Sequence, residues 1–262
     1  MKLPSLTSKQ IEILILLYRF RFLNRYHIQN FLNHKDYSRI NSWLKDLVEK
    51  RFIGRIYSRK FGENTKPAVY FLNTKAIQVL KEQKDISKSL LNRIYREKLR
   101  SKSFIKHNLF LADIYFHLNS LASENKSKLH FFTKTDLAEH NYLPEPMPDL
   151  YFAVEEDKGL TRRYFLEAFQ KGTPRYALRH RIFRYFNHYE SNVWEKTTKH
   201  PFPTILLVCP NKQMLGFLNK FIKETAEEEF DDSIQFFLTT TKKINKSGMK
   251  KEVWQKVEEI ED

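Results

Sequence analysis

The 262-residue sequence predicts an α+β fold in two parts: three short helices with a hairpin, then an α/β domain built on a mixed sheet. Three observations carry that prediction. From Tyr37 to Lys50 the apolar residues Ile40, Trp43, Leu44, Leu47 and Val48 recur at helical spacing, and a hairpin pattern follows directly. Charge is divided along the chain: residues 1–100 hold 22 Lys+Arg against 8 Asp+Glu, a net +14, whereas residues 101–262 hold 24 against 23. The second stretch then runs through helix-period and strand-period segments in the order α-β-β-β-α-β, with α-β additions.

In chain order, Thr7 or Ser8 caps a first helix whose apolar residues include Ile11, Ile13, Leu17 and Tyr18. A second short helix fits Asn24 to Leu32, with Asn24 as cap, and Asn33 to Asp36 makes the turn before the helix Tyr37 to Lys50. The hairpin pairs Ile53 to Arg59 with Ala68 to Leu72 around a turn at Gly62, Glu63 and Asn64. Lys75 to Lys84 reads as a helix behind it, and Ser87 to Arg100 as a basic, helix-prone connector whose Leu90, Leu91, Ile94 and Leu99 can pack on either part or on a second copy.

Three short helices and a hairpin form the plan of a winged helix-turn-helix, whose partner is double-stranded DNA. The polar face of the third helix carries Ser38, Arg39, Asn41, Ser42 and Lys45, able to bond to base edges or phosphates. Arg55, Arg59, Lys60 and Lys66 on the hairpin suit phosphates or the minor groove. The plainer reading is an amphipathic helix with a solvated hairpin. The concentration of positive charge in this part favours the polyanion.

The second part begins with a helix from about Phe104 to Ala122 and a strand Leu129 to Thr133. A proline-bearing loop, Glu139 to Met147, leads to strands Pro148 to Val154 and Arg163 to Phe169. Gly172-Thr173-Pro174 opens a helix to Glu190, with Pro174 in its first turn. The apolar Pro203 to Cys209 reads as a central buried strand. Helix Lys212 to Glu224, strand Ile234 to Leu238 and a helix near Lys251 to Glu259 complete the order. The expected organisation is thus residues 1–84, a winged helix-turn-helix; 85–103, the connector; and 104–262, the α/β domain.

Asp149 opens one strand and Glu167 lies in the next, so a hairpin can bring both carboxylates to one face. Two such groups are candidates to hold Mg²⁺ and activate a water for phosphodiester attack. This order of elements, with Pro148-Asp149 and then Glu167, resembles the PD-(D/E)xK nuclease fold. That pattern implies a lysine two residues after the glutamate, where this chain has Phe169; Lys171 is the nearest candidate, unless a lysine comes from elsewhere. The alternative is structural: Asp149 bounds a strand, and Glu167 pairs with Arg163, Arg175 or Arg179. The run Arg175, Arg179, Arg181, Arg184 suits phosphate contact or a solvated face.

Composition narrows the field further. Hydrophobic residues at 41% and aromatics at 15% argue against disorder, and no apolar run approaches a membrane span. The start lacks a signal-peptide pattern, so a cytoplasmic location is expected. Cys209, the single cysteine, reads as a core residue. The nine histidines make no zinc spacing, and the six glycines form no phosphate-binding loop. The acidic run Glu224, Glu227, Glu228, Glu229, Asp231, Asp232 suits either a basic partner or a solvated helix end.

Three passages together resemble the replication-relaxation family of plasmids and integrative elements. They are Val69-Tyr70-Phe71-Leu72; His107-Asn108-Leu109 with Asp113; and Pro148-Asp149, Phe165-Leu166-Glu167, Lys171-Gly172-Thr173 and Phe202 to Val208. The family pattern Val-Asp-Arg-Gly-Thr after Leu-Glu is replaced here by Ala-Phe-Gln-Lys-Gly-Thr, so the family's aspartate is absent at Phe169. The resemblance implies a DNA-binding accessory role in replication and DNA relaxation beside a replication initiator or relaxase, with a homodimer as a further expectation. No cofactor is expected, unless the chain is a nuclease using Asp149 and Glu167 with Mg²⁺. A transcription regulator is the other alternative.

Overall fold

The computed structural model describes residues 4–84, 86–157, 159–229 and 234–257. The chain divides into two compact units, residues 1–113 and 114–262, and the division falls inside one long helix. No helix among the described residues is long and apolar enough to cross a membrane.

In the first unit, α1 (Ser8–Phe20) starts at Thr7, whose side chain and that of Gln10 cap each other's backbone N–H. Asn24 caps α2 (Arg25–Phe31) in the same reciprocal way with His27. Asp36 accepts from the N–H groups of Ser38 and Arg39 at the head of α3 (Tyr37–Glu49). Ile40, Leu44 and Leu47 of α3 are fully buried, joining Ile13, Leu14, Leu17 and Ile28 in the core.

The hairpin strands are shorter than the pattern predicted. β2 (Ile53–Ile56) pairs antiparallel with β3 (Val69–Leu72), and a run of turns fills the span to Lys66. A third strand, β1 (Leu23–Asn24), pairs with β3 through Leu23 and Tyr70. Two residues carry no readable period, so nothing in the sequence announces it. The helix expected over Lys75 to Lys84 is the five-residue α4 (Ala76–Leu80), continued by turns.

The connector packs on the first unit. It is a 3-10 segment, Ser89–Leu99, with Leu91, Ile94 and Glu97 buried. Arg93 donates to the Tyr18 carbonyl at 2.5 Å, and Arg21 donates to Glu97 at 2.9 Å. The long helix α5 (Lys102–Glu124) follows.

In the second unit, six strands form one mixed sheet in the order β4 (Lys128–Thr133), β5 (Leu150–Glu155), β6 (Thr161–Ala168), β7 (Thr204–Cys209), β8 (Phe236–Thr240), β9 (Gln255–Lys256). The β6–β7 and β7–β8 pairs are parallel and the other three antiparallel. Alternate residues Phe165, Ile205, Leu207, Phe236 and Leu238 pack with Leu178, Ile182, Tyr185 and Phe186 of α7 (Arg175–Glu190), Trp194 of α8 (Val193–Thr198), and Leu218 and Ile222 of α9 (Lys212–Glu229). Cys209 belongs to this core, and burial pushes its thiol up to about 12.

Several short elements differ from expectation. α6 (Lys134–Leu137), α8 and α10 (Thr241–Ser247) are too brief for an apolar period to show. Pro174 is the N-cap of α7 rather than a residue of its first turn. The helix expected near Lys251 to Glu259 is replaced by a 3-10 turn, Lys251–Val253, and the edge strand β9; its last two residues lie outside the described residues.

Candidate nucleic-acid interface and carboxylate cluster

The 3.6-residue period that buries Ile40, Leu44 and Leu47 turns Ser38, Arg39, Asn41, Ser42 and Lys45 outward, and all five are exposed. Lys45 approaches Glu49 at 3.8 Å, an exposed pair that holds the lysine only weakly. At the head of the helix, the Arg25 guanidinium lies 4.3 Å from the Tyr26 ring centroid and 5.7 Å from that of Tyr37. Sequence periodicity did not single out this cation with its two exposed aromatics. On the hairpin, Arg55, Arg59, Lys60 and Lys66 are exposed, and Arg55 stacks over Tyr57 at 4.9 Å.

Charge follows the two units more sharply than it follows the halves of the sequence. Residues 1–113 hold 24 Lys+Arg against 9 Asp+Glu, whereas residues 114–262 hold 22 of each. The whole net +15 therefore belongs to the first unit.

In the second unit, strand register builds a row of three charged residues. β4 pairs Thr133 with Leu150, and β5 pairs Leu150 with Leu166. One step further along both ladders, Lys134, Asp149 and Glu167 stand side by side, the two carboxylates buried and Lys134 half exposed. Lys134 donates from Nζ to Asp149 Oδ1 at 2.7 Å, and the Ala168 N–H donates to Asp149 Oδ2 at 2.9 Å. Lys134 is set by a capping box: Thr133 accepts from the N–H of Asp136, whose carboxylate accepts from the N–H of Thr133.

Glu167 is enclosed by α7. Its Oε1 accepts from Arg181 Nε at 2.8 Å, from Arg181 Nη2, and from the Tyr185 hydroxyl at 2.5 Å. The same guanidinium also donates to the Pro146 carbonyl and, at 2.6 Å, to that of Met147. The ion-pair partner of Glu167 is thus Arg181, not Arg163, Arg175 or Arg179. Arg181 and Arg184 are three residues apart, yet only Arg184 remains exposed, so Arg181 drops out of the expected phosphate-contacting run.

Burial raises the Glu167 carboxyl above its usual range, against the pull of Arg181. Partial desolvation lowers Lys134, whose side chain is still half exposed, but the carboxylates of Asp149 and Glu167 outweigh it and leave the ammonium above its usual value. Burial together with Glu167 pushes the Tyr185 hydroxyl well up.

Most oxygens of this row already accept from protein donors. A hard dication takes about six oxygen ligands, whereas both Asp149 oxygens accept from protein donors and Glu167 Oε1 accepts three hydrogen bonds. Two cations, Lys134 in the row and Arg181 of α7, already pair with its carboxylates. Among the described residues no group of three or more His, Cys, Asp or Glu is placed to hold a metal. The other candidate, Lys171, is exposed in the turn after β6, and Phe169 packs against the apolar core. A shallow cleft of about 460 Å³, lined by Lys134, Glu145, Pro146, Met147 and Arg184, opens beside the row.

Of the acidic run, Glu224 pairs with Lys220 at 3.5 Å and Glu227 with Lys223 at 4.0 Å. Glu228 and Glu229 are described only as backbone of α9, and Asp231 and Asp232 lie outside the described residues.

A strongly basic helical unit and a neutral unit built on a mixed sheet define an α+β protein of two units. The chain belongs to the replication-relaxation family, whose model matches residues 14–204. Among solved structures it is similar to two mutants of ZitR from Lactococcus lactis, each 24% identical with a TM-score of 0.27; one match covers 47% of this chain and 78% of that chain. It is also similar to the restriction endonuclease FokI, at 13% identity and a TM-score of 0.32, over 92% of this chain and 43% of that one. Both TM-scores are low, and neither neighbour speaks for the function of this chain. No curated protein matches it.

Proposed function

We propose that this protein binds duplex DNA through its first unit, as an accessory factor in the replication and relaxation of a plasmid or mobile element. The observation that carries the reading is the location of the whole net +15 in the unit where α3 turns Ser38, Arg39, Asn41, Ser42 and Lys45 to solvent. The unit is then a winged helix-turn-helix: α3 lies in the major groove, and Arg55, Arg59, Lys60 and Lys66 hold backbone phosphates or the minor groove. Membership of the replication-relaxation family supports the biological setting. A replication initiator or relaxase is the proposed protein partner, and a homodimer the proposed assembly.

The second unit, in this reading, is a nuclease-like sheet kept for contact rather than cleavage, with no cofactor. Lys134 and Arg181 neutralise the two carboxylates that a nuclease would use for metal. The alternative, metal-dependent cleavage by Asp149 and Glu167 with Lys134 in place of the lysine absent at Phe169, draws on the same row. Incubation of supercoiled plasmid with Mg²⁺ or Mn²⁺, with a mobility shift on the same preparation, separates the two. Tight, salt-sensitive binding without nicking is expected; nicking that disappears in Glu167→Gln, with binding retained, overturns the non-enzymatic reading.

A further inference from the structure

We infer that the hairpin tip is a base-stacking wedge, in which Phe61 sets its ring against a nucleobase while the cations around it hold the flanking phosphates. This rests on the duplex-binding reading above and extends it from the backbone to the bases. Phe61 is the most exposed large apolar side chain among the described residues, at 101% of its reference exposure.

The turn that presents the ring is held by its own hydrogen bonds. The N–H groups of Glu63 and Asn64 both donate to the Lys60 carbonyl, at 3.0 and 2.9 Å, and Lys66 N–H donates to the Glu63 carbonyl at 3.1 Å. The Tyr57 hydroxyl ties the base of the tip to the Asn64 carbonyl at 3.0 Å, and Lys60 N–H donates to Ser58 Oγ at 3.3 Å. Gly62, at φ +77°, supplies the left-handed step next to Phe61. A ring carried on a tied turn loses little conformational freedom when it docks.

The surroundings select the occupant. Arg59, Lys60 and Lys66 are exposed on the turn that carries Phe61, Arg55 is exposed on the strand leading to it, and between Glu49 and Glu82 the sequence has one carboxylate, Glu63. An apolar protein groove would desolvate these cations without compensation. A nucleobase between two phosphates offers a π face to Phe61 and anions to its neighbours, and the exposed Ile56 and Tyr57 extend the same mixed surface.

The test uses the full chain and duplexes that it selects from a random pool, with 2-aminopurine replacing each adenine in turn. The expected result is a fluorescence increase at one base step on wild-type binding, lost in Phe61→Ala and kept in Phe61→Trp. Affinity in Phe61→Ala should fall about 5- to 150-fold, with the slope of log affinity against log salt unchanged. Lys60→Ala should do the reverse, keeping the fluorescence change and lowering the slope by about one. Phe61→Ala that binds as tightly as wild type with the same fluorescence change overturns the wedge alone. A wild-type protein that selects no duplex overturns the wedge together with the reading beneath it.

Discussion

Lys134 Nζ lies 2.7 Å from Asp149 Oδ1, and the two residues are cross-strand neighbours one step past the last pair of β4 and β5. The same step on the next ladder brings Glu167 opposite Asp149. The row therefore contains its own counter-cation, delivered by an adjacent strand end, and Arg181 of α7 supplies the second. Burying such a cluster costs desolvation that its mutual attraction largely offsets, so its removal in part is more damaging than its net contribution suggests.

Glu167→Gln leaves the buried Arg181 guanidinium without its counter-ion, and should lower unfolding stability by about 3–5 kcal/mol. Chemical denaturation checks it. Adding Arg181→Met to the same chain should recover part of the loss, because the uncompensated charge is gone. A Glu167→Gln protein that unfolds at the wild-type denaturant concentration would show that the cluster does not hold α7 to the sheet.

The pH dependence of Lys134 has a definite sign. Its folded-state value is raised, since Asp149 and Glu167 outweigh the opposing effect of burial. Its contribution to stability is therefore fully present below the ordinary lysine value of about 10.4, and is lost as pH rises through the higher folded value. The stability difference between wild type and Lys134→Met should be constant near neutrality and shrink only in strongly alkaline solution. A difference that already shrinks between pH 6 and about 8 would contradict this, since lysines titrate well above that range.

Gly54 is required by packing rather than by backbone conformation. A Cβ there would lie 2.2 Å from the Phe71 ring of the paired strand. Gly54→Val should therefore cost about 1–3 kcal/mol by overpacking, measured as a lowered melting temperature. Gly62→Ala at the open hairpin tip meets no neighbour and is limited to the strain of its positive φ.

Positions on α3 and the hairpin should separate by what they contact. Asn41→Ala should relax preference at one base position by about 1–3 kcal/mol, read from competition among duplexes. Lys60→Ala should weaken binding to every duplex alike and reduce its salt dependence. Binding to a selected duplex that neither change alters would remove α3 and the hairpin from the interface.

Much of the first unit was legible because its signals are local. Thr7, Asn24 and Asp36 cap helices through their own neighbours, and the period that buries Ile40, Leu44 and Leu47 exposes the polar face by the same geometry. The longer elements from α5 through β8, namely α5, β4, β5, β6, α7, β7, α9 and β8, could also be read, since each is long enough to show a period. The short elements β1, α6, α8, α10 and β9 could not, because a few residues hold less than one useful repeat of apolar pattern.

By itself the sequence determined the α+β class, the main helices and strands, and the concentration of positive charge before residue 114. Only the tertiary structure decided the partners of the carboxylates. Lys134, Arg181 and Tyr185 lie 15 residues before Asp149 and 14 and 18 after Glu167, and they meet through strand register and the docking of α7. It also decided that the connector joins the first unit, where Glu97 meets Arg21 across 76 residues. Periodicity records which face of an element is apolar, whereas charge pairing across strands depends on which segments come together, a property of the whole chain rather than of any stretch of it.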